Sequence, residues 1–260
     1  MSIITDAHTH TNFSGDARDD MSEMCRQAIA KGLNCICFTD HLDLNPTDES
    51  YGCYDYDRYS AAIDRVRAEY EGRIRVLKGI EFSEPHIFRR EYEELLGKEF
   101  DLVMVGIHYV RLGVGLHWFE DDRSFREYAA HDLFRHYYEE LLQVVKLGGF
   151  DVLAHFDNPK RYLQGSGPET ELIDEIVHEL VGKDLVPEIN TSPLRRGCRE
   201  SAPDADILQR YVDAGGTRVT IGSDAHSSKE IAADFDHAQK LVNCYQLQPG
   251  IFRGRQFIAI

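Results

Sequence analysis

Ser2-Ile3-Ile4-Thr5-Asp6-Ala7-His8-Thr9-His10 opens the chain with a short apolar run that passes directly into an acid and two histidines. The run Ser2 to Thr5 reads as a buried strand, and six more segments rich in Val, Ile, Leu and Phe follow it. They are Asn34 to Phe38, Ile74 to Ile80, Leu102 to Ile107, Phe150 to Ala154, Leu185 to Ile189 and Arg218 to Ile221. Helical periodicity occupies the intervals, at Met21 to Ala30, Tyr56 to Tyr70, Phe125 to Lys146, Glu171 to Val181, Asp204 to Asp213 and Ile231 to Val242. Glycines stand where helices should stop: Gly32, Gly148 and Gly149, Gly182, Gly215 and Gly216. Strands alternating with helices imply parallel pairing through βαβ crossovers, hence an α/β fold, and a parallel barrel is the architecture expected.

The chain has 260 residues, 42% of them hydrophobic, which is enough for one full core. No linker, low-complexity run or repeat divides it, so 1–260 reads as a single domain. A net charge of −16 argues against gripping the backbone of nucleic acid, which requires Lys and Arg to displace counterions. A small anionic substrate stays open, because bound divalent cations invert the local field. The N-terminus has no basic leader and no stretch approaches bilayer length, so a cytoplasmic protein with no membrane partner is expected. Six cysteines without CxxC spacing read as structural thiols.

The informative feature is where the histidines and acids fall. Strand one runs into Asp6, His8 and His10, strand two into Asp40 and His41, and strand three into Glu81. Strand four runs into His108, strand five into His155, and strand seven into Asp224 and His226. In a parallel barrel those strand ends meet on one face, so residues distant in sequence become neighbours. Imidazole nitrogen and carboxylate oxygen suit zinc, iron or manganese. His8 and His10, two apart on an extended segment, leave from the same face. Any one of these histidines alone reads as a loop residue with a hydrogen bond; their joint placement reads as a multinuclear metal centre. His131, His136, His178 and His237 fall in helical stretches and read as surface residues, whereas His86 and His117 occupy loops that could face a substrate.

Asp6-Ala-His8-Thr-His10, Thr39-Asp40-His41, Gly79-Ile-Glu81, Gly106-Ile-His108, Ala154-His155 and Ser223-Asp224-Ala-His226 together resemble the polymerase and histidinol phosphatase (PHP) family over nearly the whole chain. Gly79-Ile-Glu81-Phe-Ser-Glu84-Pro-His86 looks most like its monofunctional histidinol-phosphatase branch. The resemblance implies a distorted seven-stranded parallel (β/α)7 TIM-like barrel with three divalent ions. By that likeness His8, His10, Glu81 and Asp224 hold the first ion. Glu81 bridges to a second, held also by His108 and His155. His41, His226 and Asp16 hold the third, although relatives also carry His at the position of Asp16. Asp6 and Asp40 would orient neighbouring imidazoles.

Two ions about 3.5–4 Å apart lower the pKa of water toward neutrality, which accounts for a phosphatase without a Ser or Cys nucleophile motif. Glu81, His108, His155 and Asp224 then carry the catalytic assignment. Arg161, and Arg195 or Arg196, are guanidiniums whose forks match a phosphate edge; by the likeness Arg161 and Arg195 are the pair expected to bind phosphate, with Asn190 a further substrate contact. If the substrate is L-histidinol phosphate, Glu84, Asp43 and His86 are available to its amine and imidazole. The alternatives are hydrolysis of another small phosphate ester or nucleotide, amidohydrolase-type C–N hydrolysis, and a non-catalytic metal-binding accessory module.

Overall fold

A computed structural model describes residues 5–113, 115–118, 128–163 and 170–260. The first half runs β1 (Thr5–Thr9), α1 (Met21–Ala30), β2 (Cys35–Phe38), β3 (His41–Leu42), α2 (Tyr56–Glu69), β4 (Arg75–Ser83), α3 (Arg89–Leu96), β5 (Leu102–Gly106), β6 (Tyr109–Leu112) and β7 (Gly115–Trp118). The second half runs α4 (Ala130–Leu147), β8 (Val152–Leu153), α5 (Thr170–Gly182), β9 (Val186–Asn190), α6 (Ser192–Arg195), α7 (Ala205–Asp213), β10 (Arg218–Gly222), α8 (Phe235–Tyr245), β11 (Gln248–Arg253) and β12 (Gln256–Ala259). Helix starts follow their caps: Asp20, Asp55 and Asp204 accept from the backbone N–H groups of Glu23, Arg58 and Ile207, satisfying donors that a helix leaves open. After α4 the chain reverses through Gly148 and Gly149, both at positive φ, where a side chain would strain the backbone.

The fold is α/β with a mostly parallel sheet. Its order is β1-β2-β4-β5-β8-β9-β10-β11-β12, with β3 beside β4, and every pairing but β11–β12 is parallel. Beyond their last paired residues the outermost expected strands also meet. Asp224 N donates to His8 O at 2.9 Å, His10 N donates to Ala225 O at 2.9 Å, and Thr9 bridges Ala225 in parallel.

The expectation of seven strands is corrected. All seven are present, but among the described residues the main sheet has ten, through β3 and the β11–β12 hairpin, and β6–β7 form a separate antiparallel pair. The first strand is Thr5–Thr9, so Asp6 and His8 lie inside it; the expected start at Ser2 to Ile4 lies outside the described residues. The fourth helix spans Ala130–Leu147, and its expected beginning at 125–127 also lies outside them.

Two apolar cores flank the sheet. Ile36, Phe38, Ile80, Phe82, Val103 and Val105 pack with helix residues such as Met24, Tyr59, Ile63, Tyr137 and Leu141. The alternate residues Cys35, Cys37, Leu77, Met104, Val152 and Val186 meet Ile251 and Phe252 from β11. Each such fully buried aliphatic or aromatic side chain contributes about 1.5–3 kcal/mol relative to exposure. No helix among the described residues is long and apolar enough to cross a membrane.

Candidate metal centre

Period-two alternation carries one face of each strand from apolar to polar as it nears its C-terminal end. In β4 the progression is Leu77, Gly79, Glu81; in β9 it is Val186, Glu188, Asn190. Two strands depart from simple alternation, and both departures serve the site. A register shift between Asp6 and Thr9 inserts one extra residue into β1, which places Asp6 opposite Ile36 but Thr9 opposite Phe38. His8 and His10 thereby join the polar face. At His155 the backbone takes φ 24°, and its ring meets Glu81 and His108; Asp224 and Glu84 also have positive φ, at 53° and 50°. Non-glycine residues held there cost about 1–3 kcal/mol each, a burden that clusters at functional sites.

The side chains converge on Glu81, which is fully buried. Its Oε2 lies 3.0 Å from His8 Nε2, 3.5 Å from His10 Nε2 and 3.3 Å from His41 Nδ1. Oε1 lies 2.8 Å from His155 Nε2 and 3.4 Å from His108 Nε2, and those two nitrogens are 3.2 Å apart. Asp224 Oδ1 sits 3.6 Å from His8 Nε2 and 3.3 Å from His10 Nε2. A third group forms where Asp16 Oδ2 lies 2.8 Å from His226 Nε2 and 3.4 Å from His41 Nε2. Three sets, His8/His10/Glu81, His41/Glu81/His108 and His10/His41/His226, have ligand atoms near enough to share an ion. Glycine makes this crowding possible: a Cβ on Gly106 would lie 2.7 Å from the His155 ring and 2.9 Å from Glu81 Oε1.

These donors fit divalent cations. Burial disfavours the Glu81 carboxylate, yet the imidazoles of His8, His108 and His155 hold its pKa well below the usual range. Asp224 is likewise held well below, against burial, by His8 and Arg161, and Asp16 by His41 and His226. Burial lowers His155, and burial with the neighbouring His41 and His226 lowers His10, whereas the surrounding carboxylates raise His8, His41, His108 and His226 against burial. Ionised acids packed in one dry pocket demand positive charge between them, which protons on those four imidazoles supply here and divalent ions would supply in exchange. Among the described residues, buried Asp16 Oδ1, His41 Nδ1 and Asp43 Oδ1 have no hydrogen-bond partner, the condition an ion would relieve.

With the site described, the comparison with known families is direct: the profile of one, described as the PHP domain, matches residues 6–192, well over half of the chain. The chain belongs to the PHP domain family. Among its curated relatives, a probable histidinol-phosphatase of Clostridium acetobutylicum is 29% identical, over 97% of this chain and 98% of that protein. A histidinol-phosphatase of Lactococcus lactis is 26% identical, over 91% of this chain and 89% of that protein. The crystal structure of histidinol phosphate phosphatase from Lactococcus lactis, complexed with zinc, L-histidinol and phosphate, superposes with a TM-score of 0.82, covering 98% of both chains at 23% identity. That last likeness is one of fold.

Within this PHP chain every ligand expected from sequence, His8, His10, Asp16, His41, Glu81, His108, His155, Asp224 and His226, reaches the cluster. The other candidates divide. Arg161 is buried against Asp224, donating to Oδ2 at 2.8 Å and to Asn190 Oδ1 at 3.2 Å, and its Nε has no partner among the described residues. Arg161 lines a cavity of about 60 Å³ over the cluster, and Arg196, stacked on Tyr162, lines it too. Arg195 points elsewhere: it donates to the carbonyls of Ser223 and Asp224 and so braces the loop after β10. Glu84 accepts from the N–H groups of His108 and Tyr109 and His86 lies 3.2 Å from Glu140, and neither lines that cavity. His117, in β7, does not line it either. Asp6 accepts from Ser223 and Ala232 and reaches no imidazole ring, while Asp40 reaches His10 only through Ser14 Oγ.

Several residues of the site escape the sequence reading, Ser50 and Tyr162 at the cavity wall among them. Glu188 bonds His8 Nδ1 at 2.8 Å, Ser192 Oγ donates to Asp224 at 3.0 Å, and Asp48 lines the cavity. The spacing Glu188-x-Asn190 at a strand end was the available signal for the first. A larger cavity of about 600 Å³ adjoins, sharing Arg161, Tyr162 and Arg196. A further cavity, of about 820 Å³, lies at the opposite strand ends beside Asn34 and Arg75, and holds none of the ligand candidates.

Proposed function

We propose that this PHP protein is a metal-dependent phosphomonoester hydrolase that converts L-histidinol phosphate to L-histidinol and phosphate. The observation that carries the reading is the buried Arg161 guanidinium, with a free Nε, held against a carboxylate of a nine-residue imidazole and carboxylate cluster. The chain works as one domain, 1–260, whose sheet is a distorted barrel closed by the bonds between the ends of β1 and β10. Its donor set serves three ions of zinc, iron or manganese: His8, His10, Glu81 and Asp224 for one, Glu81, His108 and His155 for another, and Asp16, His41 and His226 for the third. When bound, such ions polarise a phosphoryl group and bring water's pKa toward neutrality.

The chain's own residues then divide the work. Arg161 and Arg196 receive the phosphate oxygens; a guanidinium preset by Asp224 and Asn190 loses little entropy on binding and neutralises charge on the non-bridging oxygens. Asn190 and Ser192 keep Asp224 in place. The acids on the other side of the cavity, Asp43 and Asp48, offer partners to a cationic amine. The adjoining cavity has room for an organic group bearing the ester. A net charge of −16 argues against nucleic acid as a partner. Metal analysis followed by a screen of phosphate esters that includes L-histidinol phosphate tests the proposal. Preferential release of phosphate from that ester is expected; bound metal without turnover of any phosphoester would instead make the chain an accessory module.

A further inference from the structure

Glu188 belongs to none of those ligand sets, yet both halves of the centre lean on it. The side chain is fully buried in β9. One oxygen, Oε1, is 2.8 Å from His8 Nδ1; the other, Oε2, accepts from the backbone N–H of His155 at 3.1 Å and from the Asn190 amide at 3.0 Å. Its space is reserved by glycine, since a Cβ on Gly222 would fall 2.0 Å from Oε1 and 2.4 Å from the His8 Cβ. Such an arrangement is more than a satisfied buried acid. Each oxygen governs a different ligand residue, one through its ring and one through its backbone.

We infer that Glu188 is a positioning residue that couples two of the metal sites. By accepting from His8 Nδ1–H it fixes the tautomer whose Nε2 lone pair faces Glu81, His10 and Asp224. By accepting from His155 N–H it holds the backbone at φ 24°, the conformation that turns that imidazole to Glu81 and His108. The group of Asp16, His41 and His226 makes no contact with Glu188 among the described residues and is not governed by it. This inference rests on the metal-centre reading proposed above.

The test compares metal content per chain, after equilibration against buffered zinc, for wild type, Glu188→Gln and Glu188→Asp. Glutamine keeps the shape but has a single acceptor oxygen, so its NH2 must face either His8 Nδ1–H or His155 N–H; aspartate keeps the charge but falls a methylene short. Affinity for two ions should fall about 10–100-fold together in both variants, with the third retained. Melting of the metal-stripped forms reports folding separately, and should Glu188→Gln not fold, Glu188→Asp carries the same measurement. Wild-type affinity for all ions in a folded variant overturns the inference, as does rescue by aspartate, which would make the role one of charge alone. Loss of all ions equally also overturns it. A wild-type protein that retains no zinc, iron or manganese overturns the metal-centre reading itself.

Discussion

The two ends of the same parallel strands are built from opposite chemistry, though both are dry. At one end Cys35, Cys37, Leu77, Met104 and Val186 close against Ile251 and Phe252 of β11. A few residues further along the same face, Glu81, Glu188, Asn190 and His155 are as deeply buried as those hydrophobes. Burial therefore does not distinguish them; what differs is whether the buried groups are content without help. The apolar end gains free energy from every ångström removed from water. The polar end holds ionised carboxylates and strained backbone that reward the protein only when cations arrive. Stability should reside at the first end and function at the second.

The sharpest way to break that division is His155→Ala. It should lower kcat by at least about 10²–10³-fold, because it removes a donor from the charged centre. The melting temperature of the metal-stripped protein should barely move, since the ring packs against carboxylate and imidazole rather than the apolar core. A variant that melts as early as one cut in the core would erase the distinction between the two ends.

The complementary variant is Phe252→Ala. Phe252 is 6% exposed and meets Phe257 edge to face at 5.5 Å, so truncation should destabilise by about 3–5 kcal/mol in denaturant titrations. Metal content and kcat per folded molecule should remain those of wild type. Lost metal in the folded fraction would show that the hairpin end shapes the centre.

Smaller again is Arg161→Ala. A charge-assisted hydrogen bond is worth about 1.5–3 kcal/mol, so KM for the phosphate ester should rise about 10-fold or more, with kcat less affected. Equal loss in kcat and kcat/KM would move Arg161 from binding the ground state to stabilising the transition state.

How legible this division was depends on which end is read. The polar end announces itself, because histidine is uncommon and its joint appearance after hydrophobic runs needs no alignment to notice. Asp48 did not stand out, since a single acid among 45 carries no such signal, and Glu188 offered only its spacing from Asn190 at a strand end. The apolar end was read only in part. β11 and β12 contain Pro249, Gly250, Arg253 and Gln256, which interrupt a strand pattern, and their turn uses Gly254 and Arg255, both at positive φ, without the Asn-Gly pair that flags a hairpin. α3 was missed for a related reason: it is eight residues long, and Tyr92 and Leu95 are the residues it buries, too few for a periodic signal. The one-residue slip in β1 has no local signature, so strand one was expected to end at Thr5 rather than Thr9, and Asp6 was expected to orient a ring it does not reach.

The smallest effect tests the edge of the apolar end through its own ion pair. Asp151 accepts from Arg255 Nε and from Val103 N–H, but burial still raises its pKa above the ordinary carboxylate value. A carboxyl raised in the folded state penalises folding where it must be ionised, above the folded pKa, and the penalty is relieved as pH falls through that value. Arg255→Ala removes the charge that limits the rise, so the native carboxyl should climb further and the penalty at about pH 7 should grow by an amount on the order of 1 kcal/mol. The melting gap between wild type and Arg255→Ala should then be widest near neutrality and narrow as pH is lowered toward about 5. Because Asp151 contacts none of the candidate ligands, metal loss on acidification affects both proteins alike and cancels in the difference. A gap that stays constant across that range would mean that Arg255 holds the hairpin by packing and by its bond to the Gly149 carbonyl, with the charge of Asp151 playing no part.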